Sequence, residues 1–232
     1  MKKNNIWKIL IIILLVATLL RVWGIESESY WLDESISIRQ AQEKEYSTTF
    51  ELVKNDIHLP LHISILHFWV KLFGTDEFAT RSLSVLFGVL SIPILYLLAK
   101  QLFNKRVAII SSIIFAVSPI MIYYSQEARL YSLFVFLSLL SMYFYVRYLE
   151  DMSTKKLLFY GLASLFLIYT HLFSFLVLFV QNVFILYRMK LQPKKLYKWF
   201  IGQFILFILF LPWIANLIKQ VSSTLNTMWI PK

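Results

Sequence analysis

Residues 157–187 read Leu157-Leu158-Phe159-Tyr160-Gly161-Leu162-Ala163-Ser164-Leu165-Phe166-Leu167-Ile168-Tyr169-Thr170-His171-Leu172-Phe173-Ser174-Phe175-Leu176-Val177-Leu178-Phe179-Val180-Gln181-Asn182-Val183-Phe184-Ile185-Leu186-Tyr187, a run without Asp, Glu, Lys or Arg. One helix through all of it would be about 46 Å long against a bilayer hydrocarbon core of about 30 Å, whereas two helices sharing it would each be slightly short. The flanking charges decide. Lys155 and Lys156 precede the run, and Arg188, Lys190, Lys194, Lys195 and Lys198 follow it. Both ends therefore belong on the side of a membrane that collects Lys and Arg, the cytoplasm. The pattern predicts a helical hairpin with its tip near His171.

Further apolar runs of membrane-spanning length lie at 6–23, 83–103, 107–124, 130–146 and 199–218. With the hairpin they predict an all-α, polytopic membrane protein of about seven transmembrane helices. The first run is longer than the apolar region of a cleavable signal, about 7–15 residues, and no small-x-small site follows, so it reads as a retained anchor. With the N-terminus in the cytoplasm, fourteen of the 23 cations and two of the 13 anions fall inside, giving +12 inside and −2 outside. At 59% hydrophobic, the 232-residue chain exceeds the roughly 45–50% of a soluble domain. Its net charge of +10 is scattered between apolar runs instead of forming one stripe, which argues against nucleic acid as a partner. The absence of cysteine excludes disulfides, a thiol nucleophile and thiolate metal sites. No internal repeat is visible, and residues 1–232 read as one module.

The unusual polar residues gather on the expected outer face, where charges at span mouths are costly and hence functional candidates. The outer segment 24–82 is long. Its Tyr30-Trp31-Leu32-Asp33-Glu34-Ser35 leads into a short helix expected at 35–45, with the two carboxylates near its N-terminus. Residues 61–73 place Leu61, Ile65, Phe68, Trp69 and Leu72 on one helical face and Ser64, His67 and Lys71 on another, as in a helix lying at the interface. Adjacent carboxylates diverge by about 100° on a helix, so Asp33 and Glu34 cannot enter the same cleft. They admit two roles: Asp33 as a general base with Glu34 as its partner, or a simple helix cap. Glu127 and Arg129, in a tight turn between spans, are either an intraloop ion pair or a substrate site; a guanidinium there can hold phosphate bidentately. His171 is either a polar tip residue or a ligand. His58 and His62 have i,i+4 spacing, but Pro60 between them argues against a zinc-binding helix.

Taken together, these landmarks resemble the membrane glycosyltransferases of the GT-C fold. The likeness is greatest to the bacterial branch similar to dolichyl-phosphate-mannose protein mannosyltransferases (glycosyltransferase family 39-like), including Rgt-type enzymes. The carriers are Trp31-Leu32-Asp33-Glu34, Asp56-x-His58-x-Pro60-Leu61, Arg81, Ser118-Pro119, Ser125-Gln126-Glu127-Ala128-Arg129-x-Tyr131-Ser132 and Tyr169-Thr170-His171. Where the family pattern often reads His-Pro-Pro, this chain has His58-Leu59-Pro60. Such enzymes usually continue with further spans, so the chain reads as a GT-C N-terminal module. The resemblance implies a multi-pass cell-membrane hexosyl- or pentosyltransferase of cell-envelope glycan or lipopolysaccharide synthesis. It would move a sugar, with inversion, from a polyprenyl-phosphate donor to a glycan, lipid or protein hydroxyl on the extracytoplasmic face. It further implies Asp33 and Glu34 as catalytic residues and His58, Arg81, Gln126, Glu127, Arg129 and His171 as substrate-binding residues. A divalent cation is left open, with Asp33, Glu127 and His171 as candidate ligands. Two rivals from other classes are a lipid or anion transporter, which would place charges near span midpoints, and a catalytically idle module that binds lipid-linked sugar.

Overall fold

The computed structural model describes residues 3–56, 58–189 and 193–227, which form eleven helices and no strand. In chain order these are α1 (Lys3–Val22), α2 (Leu32–Ala41), α3 (Tyr46–Lys54), α4 (Pro60–Phe73), α5 (Glu77–Leu102), α6 (Lys105–Val117), α7 (Pro119–Tyr123), α8 (Tyr131–Asp151), α9 (Thr154–Ile168), α10 (Ser174–Met189) and α11 (Pro193–Thr227). Among the described residues, the helices at Glu77–Leu102, Tyr131–Asp151 and Leu196–Lys219 are long and apolar enough to cross a membrane, and Ser174–Arg188 is a shorter apolar helix. The run 157–187 is divided between α9 and α10 around a turn at 169–173, each helix being about 22–24 Å long.

Three boundaries differ from expectation for identifiable reasons. Residues 107–124 are not one helix: Pro119 has no N–H to donate, and Ser118 before it is extended at φ −65°, ψ 119°, so α6 stops and α7 restarts. Helix α5 begins before residue 83, because Asp76 caps it by accepting from the Ala79 N–H at 2.8 Å, and Arg81 therefore sits inside the helix. Helix α2 begins at Leu32 instead of 35, because Glu34 reaches back to the Trp31 N–H at 3.4 Å, half of a capping box.

The α4 face also differs. Helix α4 buries His62, Ile63, Leu66, His67 and Val70 against α2, α3 and α5, while Phe68 and Leu72 are exposed. His67, expected on a polar face, is wholly buried, because its Nδ1 lies 3.0 Å from Thr49 Oγ1 and 2.9 Å from the Ala41 carbonyl.

Two packing systems hold the long helices. On α1, Ile6, Leu10, Ile13 and Ala17 recur at helical spacing and meet Ile92, Tyr96 and Ala99 of α5 and Ala108 and Ala116 of α6. On the other side, Trp199 of α11 stacks between Tyr148 of α8 and Tyr160 of α9, with ring centroids 5.6 and 4.8 Å away. A seam of uncharged polar groups runs beside these rings. Tyr160 donates to Gln181 Oε1 at 3.0 Å, Gln181 to Ser141 Oγ at 3.3 Å, and Asn182 to Gln203 Oε1 at 3.2 Å, and Ser141 and Ser164 lie 2.9 Å apart. Such interhelical bonds contribute on average about 0.6 kcal/mol each in a membrane. The seam therefore registers α8, α9, α10 and α11 against one another more than it stabilises them.

Arg21, near the end of α1, is wholly buried. Its guanidinium donates to the Ala17 carbonyl at 3.1 Å, the Ala116 and Phe115 carbonyls at 2.9 and 3.3 Å, and Ser125 Oγ at 3.2 Å. It thus caps the C-terminus of α6 where Pro119 breaks the chain, and a cation is favoured at a helix C-terminus. Gly88 of α5 leaves the room for this contact, because a Cβ there would overlap Ser125 Oγ and lie 3.2 Å from Arg21 Nε. Gly88→Ala is accordingly expected to destabilise the protein by about 1–3 kcal/mol through overpacking, read as a lower melting temperature in detergent. Gly161→Ala, where a Cβ meets nothing within 4 Å, is expected to leave it unchanged. Equal melting of the two variants would contradict the packing described.

Candidate active site

Glu34, at the third position of α2, has no exposed surface. Its Oε1 accepts from Arg81 Nε at 2.9 Å and from the Ala128 N–H at 2.7 Å, and its Oε2 accepts from Arg81 Nη2 at 2.9 Å. Arg81, 4% exposed, also donates from Nη1 to the carbonyls of Ile25 and Glu28 at 2.7 and 2.8 Å. The pair thereby joins α2, α5, the loop after α1 and the turn 125–130. Tyr30 completes the corner, with its ring 5.3 Å from the Arg81 guanidinium carbon and its hydroxyl 2.9 Å from the Thr75 carbonyl and Thr80 Oγ1.

One residue before Glu34, the Asp33 side chain is 40% exposed and faces the other way, with Oδ2 3.3 Å from Arg129 Nη2. Arg129 is buried. Its Nη1 donates to the Asp33 carbonyl at 3.1 Å and Ser37 Oγ at 2.8 Å, and its Nη2 lies 2.9 Å from His58 Nε2. Among the described residues the Arg129 Nε has no hydrogen-bond partner. His58 Nδ1 in turn lies 3.1 Å from Asp56 Oδ1, and Gln40 donates to Asp56 Oδ2 at 2.5 Å.

The remaining candidates surround this pair. Gln126 donates from its side chain to the carbonyls of Arg21 and Trp23 at 3.2 and 2.7 Å, fastening the turn to the end of α1. Glu127 is buried beside the Tyr123 hydroxyl, and its Oε2 has no hydrogen-bond partner among the described residues. Burial, then the charge of Glu34, pushes its pKa above the usual carboxylate range, against the opposing Tyr123 hydroxyl and the charges of Arg129 and Arg81. His171 lies in the turn between α9 and α10, with Nδ1 accepting from the Phe173 N–H at 3.0 Å and its ring 5.3 Å from Phe134. Burial, with the nearby charges of His58 and Arg129, lowers its pKa. The same turn is tied to the site, because the Leu61 N–H donates to the Tyr169 carbonyl at 3.0 Å.

The structure thus brings Asp33, Arg129 and His58 into contact, and Glu34 with Arg81 beneath them. Asp33, Glu127 and His171 each face different partners, and among the described residues no group of three His, Asp or Glu side chains is placed to hold a metal ion. Several residues that shape the site were not singled out from sequence. Ser37 and Gln40 lie one and two turns along α2, and their outward polarity gives no sign of the partners. His62, read from sequence only as a weak zinc candidate with His58, is buried beside Arg129; burial and the charges of Arg129 and His58 push its pKa down to about 3, so it is neutral, and its Nε2 has no partner among the described residues. Arg21 carried a readable signal, a charge inside an apolar run.

A family model described as dolichyl-phosphate-mannose-protein mannosyltransferase matches residues 58–215. No curated protein and no solved structure gives a significant match.

Removing one partner of a buried ion pair costs about 3–5 kcal/mol, because the other charge is left unpaired. Glu34→Gln is therefore expected to lower the melting temperature by roughly 10 °C, at about 2–4 °C per kcal/mol for a chain of this size. Asp33→Asn, at a partly exposed pair worth about 1 kcal/mol or less, is expected to shift it by only a few degrees. Equal shifts in the two variants would show that the two carboxylates do not divide their roles in this way.

Proposed function

Because the chain belongs to the family of dolichyl-phosphate-mannose-protein mannosyltransferases, whose model covers residues 58–215, we propose that it is a GT-C membrane glycosyltransferase that uses a polyprenyl-phosphate sugar donor. The supporting observation is the contrast at one corner: Glu34 is buried and spent on Arg81 and Ala128, while Asp33 is 40% exposed beside a buried, fixed guanidinium. Asp33 accepts the proton of an acceptor hydroxyl. The hydroxyl oxygen attacks the anomeric carbon from the face opposite the phosphate, the carbon–oxygen bond to the phosphate breaks, and the polyprenyl phosphate leaves with the electron pair. The sugar is transferred with inversion.

Arg129 supplies positive charge where negative charge grows on the departing phosphate, and it needs no reorganisation because Ser37, the Asp33 carbonyl and His58 already orient it. Glu34 and Arg81 act as positioning residues. Glu127, raised in pKa and with one oxygen unpartnered, and His171 lie at the edge, where they orient the acceptor. Asp33→Asn nearly conserves size but cannot take the proton, so transfer to acceptor is expected to fall by about 10²- to 10⁴-fold, with donor binding retained. Arg129→Lys, which keeps charge but loses the fork geometry, is expected to weaken donor use. Wild-type turnover by Asp33→Asn, assayed with the full-length protein and native donor, would overturn the assignment of the base.

The proposed topology places the N-terminus and the 103–106 and 152–156 turns in the cytoplasm and the site outside, across seven spans in the cell membrane. In this cysteine-free chain, single cysteines at Asp33 and His171 are expected to react with an impermeant thiol reagent in intact cells, and those at Arg106 and Lys156 only after permeabilisation. Labelling of Lys156 and His171 from the same side would refute the hairpin.

A further inference from the structure

From the Thr154 end of α9, the end away from the turn 169–173, a cleft of about 350 Å³ runs between α9 and α11 as far as Leu165 and Leu209. Its walls are mostly Leu and Ile with Tyr197 among them, and its lining includes Gly161 and Gly202. Glycine in membrane helices commonly lets two backbones approach closely. Gly161 does not serve that purpose, since a Cβ there meets nothing within 4 Å; it keeps the cleft open.

The mouth of the cleft is cationic. Thr154 and Lys198 line it, with Lys198 Nζ 3.3 Å from Thr154 Oγ1, and no carboxylate contributes to the lining. Thr154 is also the first residue of α9, whose N-cap Ser153 makes no side-chain cap and whose first turn holds no acid. That turn carries Lys155 and Lys156 instead. Cations at a helix N-terminus oppose the macrodipole. Lys156 is compensated by Glu150 and Asp151, each at 3.0 Å, whereas Lys155 is exposed and has no ion pair among the described residues. Uncapped N–H groups, a hydroxyl and the Lys198 cation at one end of an apolar cleft, with Lys155 next to Thr154 in the chain, match an amphiphile with an anionic head.

The length of the cleft matches as well. From Thr154 to Leu165 along α9 is about 16 Å, close to half of the roughly 30 Å hydrocarbon core. We propose that this cleft is a binding site for one anionic phospholipid of the leaflet opposite the candidate active site, with its phosphate at Thr154 and Lys198 and an acyl chain over Gly161. The proposal rests on the bundle crossing a membrane and is independent of the glycosyltransferase chemistry, so an activity result bears on the one and a lipid result on the other.

The test is native mass spectrometry of the purified protein, titrated separately with dioleoylphosphatidylglycerol and dioleoylphosphatidylcholine. Wild type is expected to retain one phosphatidylglycerol in preference to phosphatidylcholine. Lys198→Gln is expected to weaken that retention about fivefold, the effect of one cation near an anionic head, and Gly161→Leu to abolish it by filling the cleft. A thermal melt with and without phosphatidylglycerol reads the same site in the Lys198→Gln protein should Gly161→Leu fail to fold. Equal retention of the two lipids, or undiminished phosphatidylglycerol binding by both variants, would overturn the proposal. So would a Gly161→Cys protein that cross-links into a dimer, because a second copy would then occupy the cleft.

Discussion

The Glu34–Arg81 pair is the constraint on which the site depends. Two opposite charges taken out of water lose several kcal/mol of solvation each, and their attraction offsets this only when the remaining donors and acceptors are met. Here they are met. Arg81 uses Nε, Nη1 and Nη2 on Glu34, Ile25, Glu28 and Ser29, while Glu34 also takes the Ala128 N–H and the Trp31 N–H. A pair so completed adds little net stability against an apolar substitute, yet leaving either charge alone is costly. Its effect is therefore geometric: it admits one arrangement of α2, α5, the loop after α1 and the turn 125–130. Because adjacent residues on a helix point about 100° apart, burying Glu34 turns Asp33 outward.

Below that corner, the turn 125–130 is held a second time by α1. The Arg21 guanidinium reaches Ser125, and the Gln126 amide reaches back to the Arg21 and Trp23 carbonyls, so α1 and the turn exchange side-chain bonds in both directions. Gly24, at φ 71°, lets the chain leave α1 in a direction that side-chain-bearing residues rarely adopt. The Glu127–Arg129 segment is thus clamped from both ends, which suits a cation whose position must not shift when a charged group arrives.

Much of this was legible in the sequence. The helix break inside 157–187 followed from length and flanking charge, and the divergence of Asp33 and Glu34 followed from helix geometry alone. What the sequence could not disclose was which of the two carboxylates is buried, because that depends on Arg81 approaching from 47 residues away. The end of α6 at Ser118 was present as a Ser-Pro signal but was masked by the apolar residues on either side of it. The face of α4 was misjudged because its imidazoles count as polar in a pattern, whereas His62 and His67 are buried residues whose surroundings come from α2, α3 and the site. Arg21 was legible as a charge inside an apolar run, but its partners were not. A run of membrane-spanning length tolerates one guanidinium only if carbonyls receive it, and those carbonyls belong to another helix.

The orientation of Arg129 follows from proton bookkeeping along a chain of side chains. Arg129 Nη2 can only donate, so His58 Nε2 is the accepting nitrogen of that bond. The ring's N–H is then on Nδ1, facing Asp56 Oδ1, and the Gln40 amide donates to the other Asp56 oxygen. Arg129 is consequently aimed from three places at once: α2 through Ser37 and the Asp33 carbonyl, His58 ahead of α4, and its own turn. None of these alone brings Asp33 within reach of a cation. The site exists only when the segment between α1 and α5 is docked on the turn between α7 and α8, so docking of that segment and assembly of the Asp33–Arg129 pair are a single event.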